Sequence, residues 1–519
     1  MKRNWPLLCI ILLISTFARA DVEQWGIYDL ALNGPAEGNP FIDVNLSARF
    51  TCENQTIEAH GFYDGDGTYR VRFMPDRQGV WKYETQSNRP ELAGKTGEFT
   101  CVKPSAGNHG PVRVHNVHHF AYADGTPYKP VGTTAYGWVH QPDALEEQTL
   151  ATLKSSAAFN KIRMCILPTR YRPGIDEPIF LPFHRAVDGR QFDLKQFDVR
   201  FFQHMEKRIA QLGELGVEAD LILFHPYGEG RLGFDRMDAD TDDRYLRYVV
   251  ARFSAYRNVW WSLANEFDLL RQKKDSDWDR FFQIVQTEDP YQHLRSIHFS
   301  RRMYDPSKPW VTHVSVQNGE AVADFGRAVL YRQICPKPIV YDEVCYEGKL
   351  DARWGQLSGE QMLMRFWFGA ISGTYVGHGE ALLNGQSRSW LGNGGTFIGE
   401  SPKRIAFLKQ ILDTAPADGI EPIDQYFQTH LGGKPGQYYL LYFGTEKPTE
   451  WTFQLPGKDP IADGASFHVD VLDTWNMTIT PVDQVFKVKR KSPYAFTADP
   501  EAKIRLPGSP YMALRIRRN

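Results

Sequence analysis

Two short apolar runs in this chain end in carboxylates. The first, Asn258-Val-Trp-Trp-Ser-Leu-Ala-Asn-Glu-Phe-Asp268, closes on Asn265 and Glu266; the second, Pro338-Ile-Val-Tyr-Asp-Glu-Val-Cys-Tyr-Glu-Gly348, closes on Glu343, with Glu347 just beyond it. Short apolar runs bounded by turn signals suit strands buried on both faces. A carboxyl at the end of such a strand acts as a general acid when its pKa is raised, and a second one opposite it acts as base or nucleophile. The Asn265 amide can hold a hydroxyl beside them. The bland alternative is that Glu266 only caps the next helix, since a strand-end Asn-Glu is short and common. The second run weighs against that alternative.

These runs need a scaffold that brings their ends together. From 112 to 415 strands and helices alternate, the pattern of a parallel α/β fold. Strands are expected at 131–138, 161–166, 217–224, the 258–268 run, 294–299, 310–316, 339–343 and 373–378. Helical patterns fall at 143–158, 198–215, 242–256, 278–288, 358–368 and 402–412, with Gly216 stopping the second. Eight strands over this length fit a (β/α)8 TIM barrel, about 250 residues with insertions. Glu266 would end the fourth strand and Glu343 the seventh, so both open on one mouth. Two carboxylates there suit cleavage of a glycosidic bond: one protonates the leaving oxygen while the other attacks or activates water.

The flanks read as all-β, which makes the fold class a multidomain α/β plus β protein. Residues 21–104 suit an N-terminal Ig-like β-sandwich, with alternation at 69–73 and 79–84 and a turn at 64–67. Residues 103–110 read as the linker and 420–519 as a C-terminal β-sandwich, with strands at 438–443, 466–472 and 511–516. Residues 1–20 have the basic end, apolar core and small-residue cleavage site of a secretory signal peptide. The apolar part falls short of the roughly 20 residues that span a bilayer. An exported protein starting at Asp21, periplasmic or extracellular, is therefore expected, with no membrane insertion after cleavage. Cys52 and Cys101 lie in strand-like runs at the two ends of the first β unit, where a disulfide and two buried thiols are both compatible with the pattern. The 60 basic residues nearly balance the 62 acidic ones and form no long tract, which argues against nucleic acid as a partner. Packing explains most of the 13 Trp and 24 Tyr, although such rings also suit sugar faces.

The chain resembles the apiosidase-like hydrolases of glycoside hydrolase clan GH-A, flanked by β domains of uncharacterised type. The likeness is carried by Gly61-Phe-Tyr-Asp-Gly-Asp-Gly67, Asn160-Lys-Ile-Arg-Met164, Leu223-Phe-His-Pro-Tyr227, Trp260-Trp-Ser-Leu-Ala-Asn-Glu266, Leu294-Arg-Ser-Ile-His298 and His378-Gly-Glu380. It implies a retaining glycosidase acting on plant or algal poly- or oligosaccharides, with Glu266 as acid/base and Glu343 as nucleophile. Arg163 matches the clan's arginine that hydrogen-bonds the nucleophile, and a cation there keeps Glu343 ionised. Asn265 would bind the hydroxyl beside the reacting carbon. His225, His298 and His313, expected at the ends of strands three, five and six, would meet sugar hydroxyls or Glu343, or else serve the structure. Trp138, His140 and Trp390 are candidate walls. Glu380 reads as a substrate contact, Glu347 as a weaker rival to Glu343, and Trp260 and Trp261 as the apolar surroundings that keep Glu266 protonated. Gly228-Glu229 departs from the family's usual Asp after His-Pro-Tyr, so the resemblance implies no particular sugar.

A catalytically inactive carbohydrate-binding or scaffold protein is the competing class, and the presence of both glutamates favours the enzyme. A serine esterase would need Gly-x-Ser-x-Gly, which the sequence lacks. A zinc hydrolase would want His-Glu-x-x-His, and the one dense group, His115-Asn-Val-His-His119, precedes the first barrel strand. No cofactor or metal is implied. The expected partner is a carbohydrate substrate; sugar, linkage, exo or endo action and oligomeric state have no signature here.

Overall fold

A computed structural model describes residues 21–168, 181–185, 192–227, 232–317, 325–423 and 430–519. The leader at 1–20 and the Gly228-Glu229 departure lie outside the described residues. The central sheet holds eight parallel strands: β1 (Gly132–Thr134), β2 (Lys161–Cys165), β3 (Glu218–Phe224), β4 (Val259–Ala264), β5 (Arg295–Ser296), β6 (Val314–Gln317), β7 (Ile339–Glu343) and β8 (Tyr375–His378). Their order is β5-β4-β3-β2-β1-β8-β7-β6. The Thr312 N–H donates to the Arg295 carbonyl at 2.9 Å and links β5 to the chain entering β6.

Helices α1 (Asp143–Ser156), α2 (Val199–Glu214), α3 (Ala239–Phe253), α4 (Asp275–Glu288), α5 (Phe325–Ile334), α6 (Gly359–Ile371) and α7 (Ser401–Asp413) follow every strand except β5. Local chemistry sets their starts. Asp198 caps α2, Asp238 caps α3 through the Thr241 N–H, and Ser358 with Gln361 forms a capping box on α6. Every residue of β3 and β4 is buried, as expected of strands covered on both faces. Among the described residues no helix is long and apolar enough to cross a membrane.

Several strands are shorter than expected, β5 among them, and two of the differences matter at the site. β1 stops at Thr134, so Trp138 and His140 fall in a 3-10 turn beyond it. β6 begins at Val314 rather than near Trp310, which puts His313 at its amino end and Gln317 at its carboxyl end. The apolar residues at 310 and 311 imitate a strand, but they belong to the loop that runs from β5.

Seven strands of the N-terminal unit form one sheet that folds over itself. Residues 55–60 of one strand pair with Leu46–Cys52, and from Gly61 onward that strand pairs with Thr68–Phe73. The fold-over stacks the Phe50 ring on Phe73, centroids 4.0 Å apart. Cys52 and Cys101 are both buried free thiols, so no disulfide joins them here. Burial pushes the Cys101 thiol up to about 12. Buried charge joins this unit to the barrel: Arg72 makes two bonds to Glu206, 2.5 and 3.0 Å, and Arg252 reaches Asp64 at 2.8 Å. The C-terminal unit holds a nine-stranded sheet that leans on α6 and α7, with Tyr442 stacked on Trp367 and Arg404 over the Trp475 ring.

Candidate active site

Glu266 stands two residues past β4 in the left-handed conformation, φ 46° and ψ 51°. That conformation costs a non-glycine residue about 1–2 kcal/mol. Neighbouring strand ends hold it there: the Asn265 N–H donates to the Phe224 carbonyl at 2.9 Å, and the Phe267 N–H to the His298 carbonyl at 3.0 Å. Although Glu266 precedes a short 3-10 helix, its side chain does not cap it. Its oxygens accept instead from the Tyr227 hydroxyl, 2.9 Å, and the Gln317 amide, 3.1 Å. The helix-cap alternative therefore falls. Burial, with the neighbouring Glu343 charge adding to it, raises the Glu266 pKa against these two donors.

Glu343, the last residue of β7, is buried among donors. Its Oε1 accepts from the Tyr136 hydroxyl and from Asn265 Nδ2 at 3.1 Å, and its Oε2 accepts from Gln317 Nε2 at 2.7 Å. Arg163 Nη1 and His298 Nε2 stand 3.7 and 3.6 Å from Oε1. Burial alone would raise this carboxyl. The His298 imidazole, the Arg163 guanidinium and the Tyr136 hydroxyl outweigh it and hold the group at about 2. One carboxyl is thus pushed up and its partner held down, the division of labour that separates an acid from a nucleophile.

Their spacing follows from Gln317. One amide nitrogen donates to Glu266 Oε1 at 3.1 Å and to Glu343 Oε2 at 2.7 Å, so these oxygens are at most 5.8 Å apart, the two bonds laid end to end. Two ideal N–H directions of a planar amide, diverging by roughly 120°, would set these oxygens about 5 Å apart.

The catalytic-domain profile of the apiosidase-like family matches residues 114–379, half of the chain. Profiles of two domains of unknown function, DUF5060 and DUF5605, match residues 21–88 and 427–517. A crystal structure from Bacteroides vulgatus, named as a candidate glycoside hydrolase, is 40% identical with a TM-score of 0.92, covering 96% of this chain and 100% of that one. The chain belongs to the apiosidase-like family. It is a glycoside hydrolase. A glycoside hydrolase of family 5 from Bacteroides vulgatus shares the fold at 14% identity, TM-score 0.58, over 79% of this chain and 93% of that one. No curated protein matches the chain.

In this apiosidase-like hydrolase the remaining expected residues separate into two groups. Asn265 and His298 join the carboxylates. Arg163 joins them too, though not as expected: it stands at ion-pair distance from Glu343 and spends its hydrogen bond on Asn265 Oδ1, 2.7 Å away. The others lie apart. Both His225 nitrogens are taken, by the Leu167 carbonyl and the Tyr227 N–H, and its ring stacks on Tyr227, so it supports the tyrosine that holds Glu266. His313, at the amino end of β6, packs against Trp260 and Phe120. Trp138, His140 and Trp390 are buried rather than forming walls: the Trp138 indole donates to the Met164 sulfur, His140 meets the Cys165 carbonyl, and Trp390 donates to Thr133. Trp260 and Trp261 do not surround Glu266 either. They sit near the start of β4, about 10–13 Å of strand below its end, and donate to Glu218 and Asp289.

Glu347 is held at the start of α7, accepting from the Glu400 and Ser401 N–H groups and the Ser401 hydroxyl. Glu380 is buried and accepts from the Ile398 N–H at 2.7 Å. Neither is free to act as a nucleophile or an open substrate contact. With His378 they place three possible metal-ligand atoms within 4.8 Å of one another. However, backbone N–H groups from residues 398 to 401 point at the two carboxylates and fill lone pairs that a cation would need. Tyr136, Tyr227 and Gln317 are the site residues that sequence reasoning missed. Tyr136 follows the apolar β1 run, Tyr227 closes the Leu-Phe-His-Pro-Tyr segment, and Gln317 is visible only once β6 is placed correctly.

Proposed function

We propose that this apiosidase-like hydrolase is an exported, retaining enzyme with Glu343 as nucleophile and Glu266 as acid/base, acting on plant or algal poly- or oligosaccharides. The separation of about 5 Å set by Gln317 carries the reading, because retaining pairs lie about 5–5.5 Å apart and inverting pairs roughly 6.5–9.5 Å. Glu343, kept ionised, attacks the anomeric carbon while Glu266 gives its proton to the leaving oxygen. Glu266, now a base, then takes a proton from the water that releases the sugar. Asn265 faces both the nucleophile and Tyr227, which suits it to the hydroxyl beside the reacting carbon. Export rests on the leader pattern at 1–20, and the substrate class on the family likeness. We read both flanking β units as sandwiches.

A panel of aryl glycosides and plant and algal polysaccharides, read as released sugar, identifies the substrate. NMR of the first-formed anomer then tests the mechanism. Retained configuration is expected, and an inverted product refutes it. Amino-terminal sequencing of exported protein should begin at Asp21; a start at Met1 refutes the leader.

A further inference from the structure

Gln317 reaches the site through an irregularity. In the β6–β7 ladder Ser315 pairs with Val340 but Gln317 pairs with Glu343, so β7 carries an extra residue between them. Bulges of this kind re-aim side chains beside active sites. Here the bulge sets Gln317 opposite Glu343. Its Nε2 must face the two carboxylates, because a flipped amide would press its oxygen against theirs. The Gln317 oxygen is buried with no partner among the described residues, so the hydrogen bonds that orient the amide are those to Glu266 and Glu343.

We propose that Gln317 is a positioning residue: one amide nitrogen, donating to both carboxyls at once, sets the separation at which Glu343 attacks directly. This rests on reading Glu266 and Glu343 as the catalytic pair. Each carboxyl also has donors of its own, Tyr227 for Glu266 and Tyr136 with Asn265 for Glu343. Among the described residues Gln317 is the side chain that donates to both Glu266 Oε1 and Glu343 Oε2. Donation to a carboxylate favours its charged form, so loss of the amide raises both groups together. A side chain that merely filled space would move neither.

Carboxyl titration by 13C NMR tests this without a substrate. Protein labelled with [δ-13C]glutamate is compared as wild type, Gln317→Leu and Gln317→Glu, with Glu266→Gln and Glu343→Gln identifying the two signals. In Gln317→Leu both midpoints should rise by about half a pH unit or more. Gln317→Glu replaces the donor by an acceptor and should raise them further, so it decides the matter if the leucine variant does not fold. Unmoved midpoints in a variant whose other glutamate signals are unchanged overturn the proposal. Hydrolysis by Glu343→Ala is assayed in parallel on the aryl glycoside that the panel identifies. Activity there defeats the catalytic-pair reading itself, whereas an inactive Glu343→Ala with unmoved midpoints removes only the role of Gln317.

Discussion

Asp342 and Glu343 follow one another in the chain, yet both lie 3.7 Å from the Arg163 guanidinium. Successive residues of a regular strand point to opposite faces; the β6–β7 bulge lets both turn inward. Asp342 joins Lys161 and Asp220 in a buried ion cluster, while Glu343 reaches the site. Arg163 serves both levels and anchors Asn265 besides. Arg163→Lys keeps the charge but not the planar fork that reaches Asn265 and Glu343 together. The kcat/KM should fall about 10- to 100-fold, the worth of a charged hydrogen bond of roughly 1.5–3 kcal/mol. An unchanged kcat/KM would refute this shared anchoring.

The two glutamates should fail differently. Glu343→Ala removes the nucleophile and should abolish turnover of every substrate. Glu266→Ala removes a proton donor, so substrates whose leaving group needs no proton should retain their first step. Azide can enter the site left by the Glu266 carboxylate and should restore part of the activity, giving a glycosyl azide of retained configuration. Product analysis by NMR checks both. An azide product of inverted configuration from the Glu266 variant would count against the assignment.

The barrel and its two glutamates were legible because both depend on local pattern: apolar runs that end abruptly in carboxylates. Gln317 and His313 were not, because a four-residue β6 lies beside a loop containing Trp310 and Val311, which read as strand. The bulge that turns Asp342 and Glu343 to one side has no sequence signal of its own. Burial reversed several readings of polar and aromatic residues. Trp138, His140 and Trp390 have types that bind sugars, but the sequence does not show that the turn after β1 folds the first two inward or that the segment after β8 seats Trp390 on Thr133.

Glu380 supplies a stability test. Burial outweighs its backbone donors and pushes its carboxyl up to about 7, from an ordinary 4.5. Between these values the folded protein holds a proton that the unfolded chain has released, so this group lowers stability as pH rises across that window. Glu380→Gln is neutral throughout and keeps an oxygen for the Ile398 N–H. The variant's melting temperature, taken relative to wild type, should therefore climb from pH 5 to pH 7 and level off above it. A difference that stays flat with pH would sink this account, and a raised KM with no change in melting would return Glu380 to the substrate.

Ser315 offers the sharpest test of what keeps Glu343 charged. Its hydroxyl donates to Asp342 Oδ2 at 2.5 Å, so toward His298 Nδ1, 2.9 Å away, its oxygen can only accept. The proton between them therefore sits on Nδ1, and Nε2 is left facing Glu343 Oε1 at 3.6 Å. A lone pair there would oppose the carboxylate. An N–H would favour it, so the orientation of this ring, fixed by the Asp342–Ser315 pair, bears on the nucleophile. Ser315→Ala removes the acceptor that fixes this ring and loosens the imidazole beside the nucleophile. Glu343 must be ionised to attack, and its pKa should rise, so the acid limb of kcat/KM should move to higher pH. Ser315→Thr keeps the hydroxyl and should leave that limb near its wild-type position. If the alanine and threonine variants share one pH profile, Ser315 acts by packing alone and the role given to the fixed ring fails.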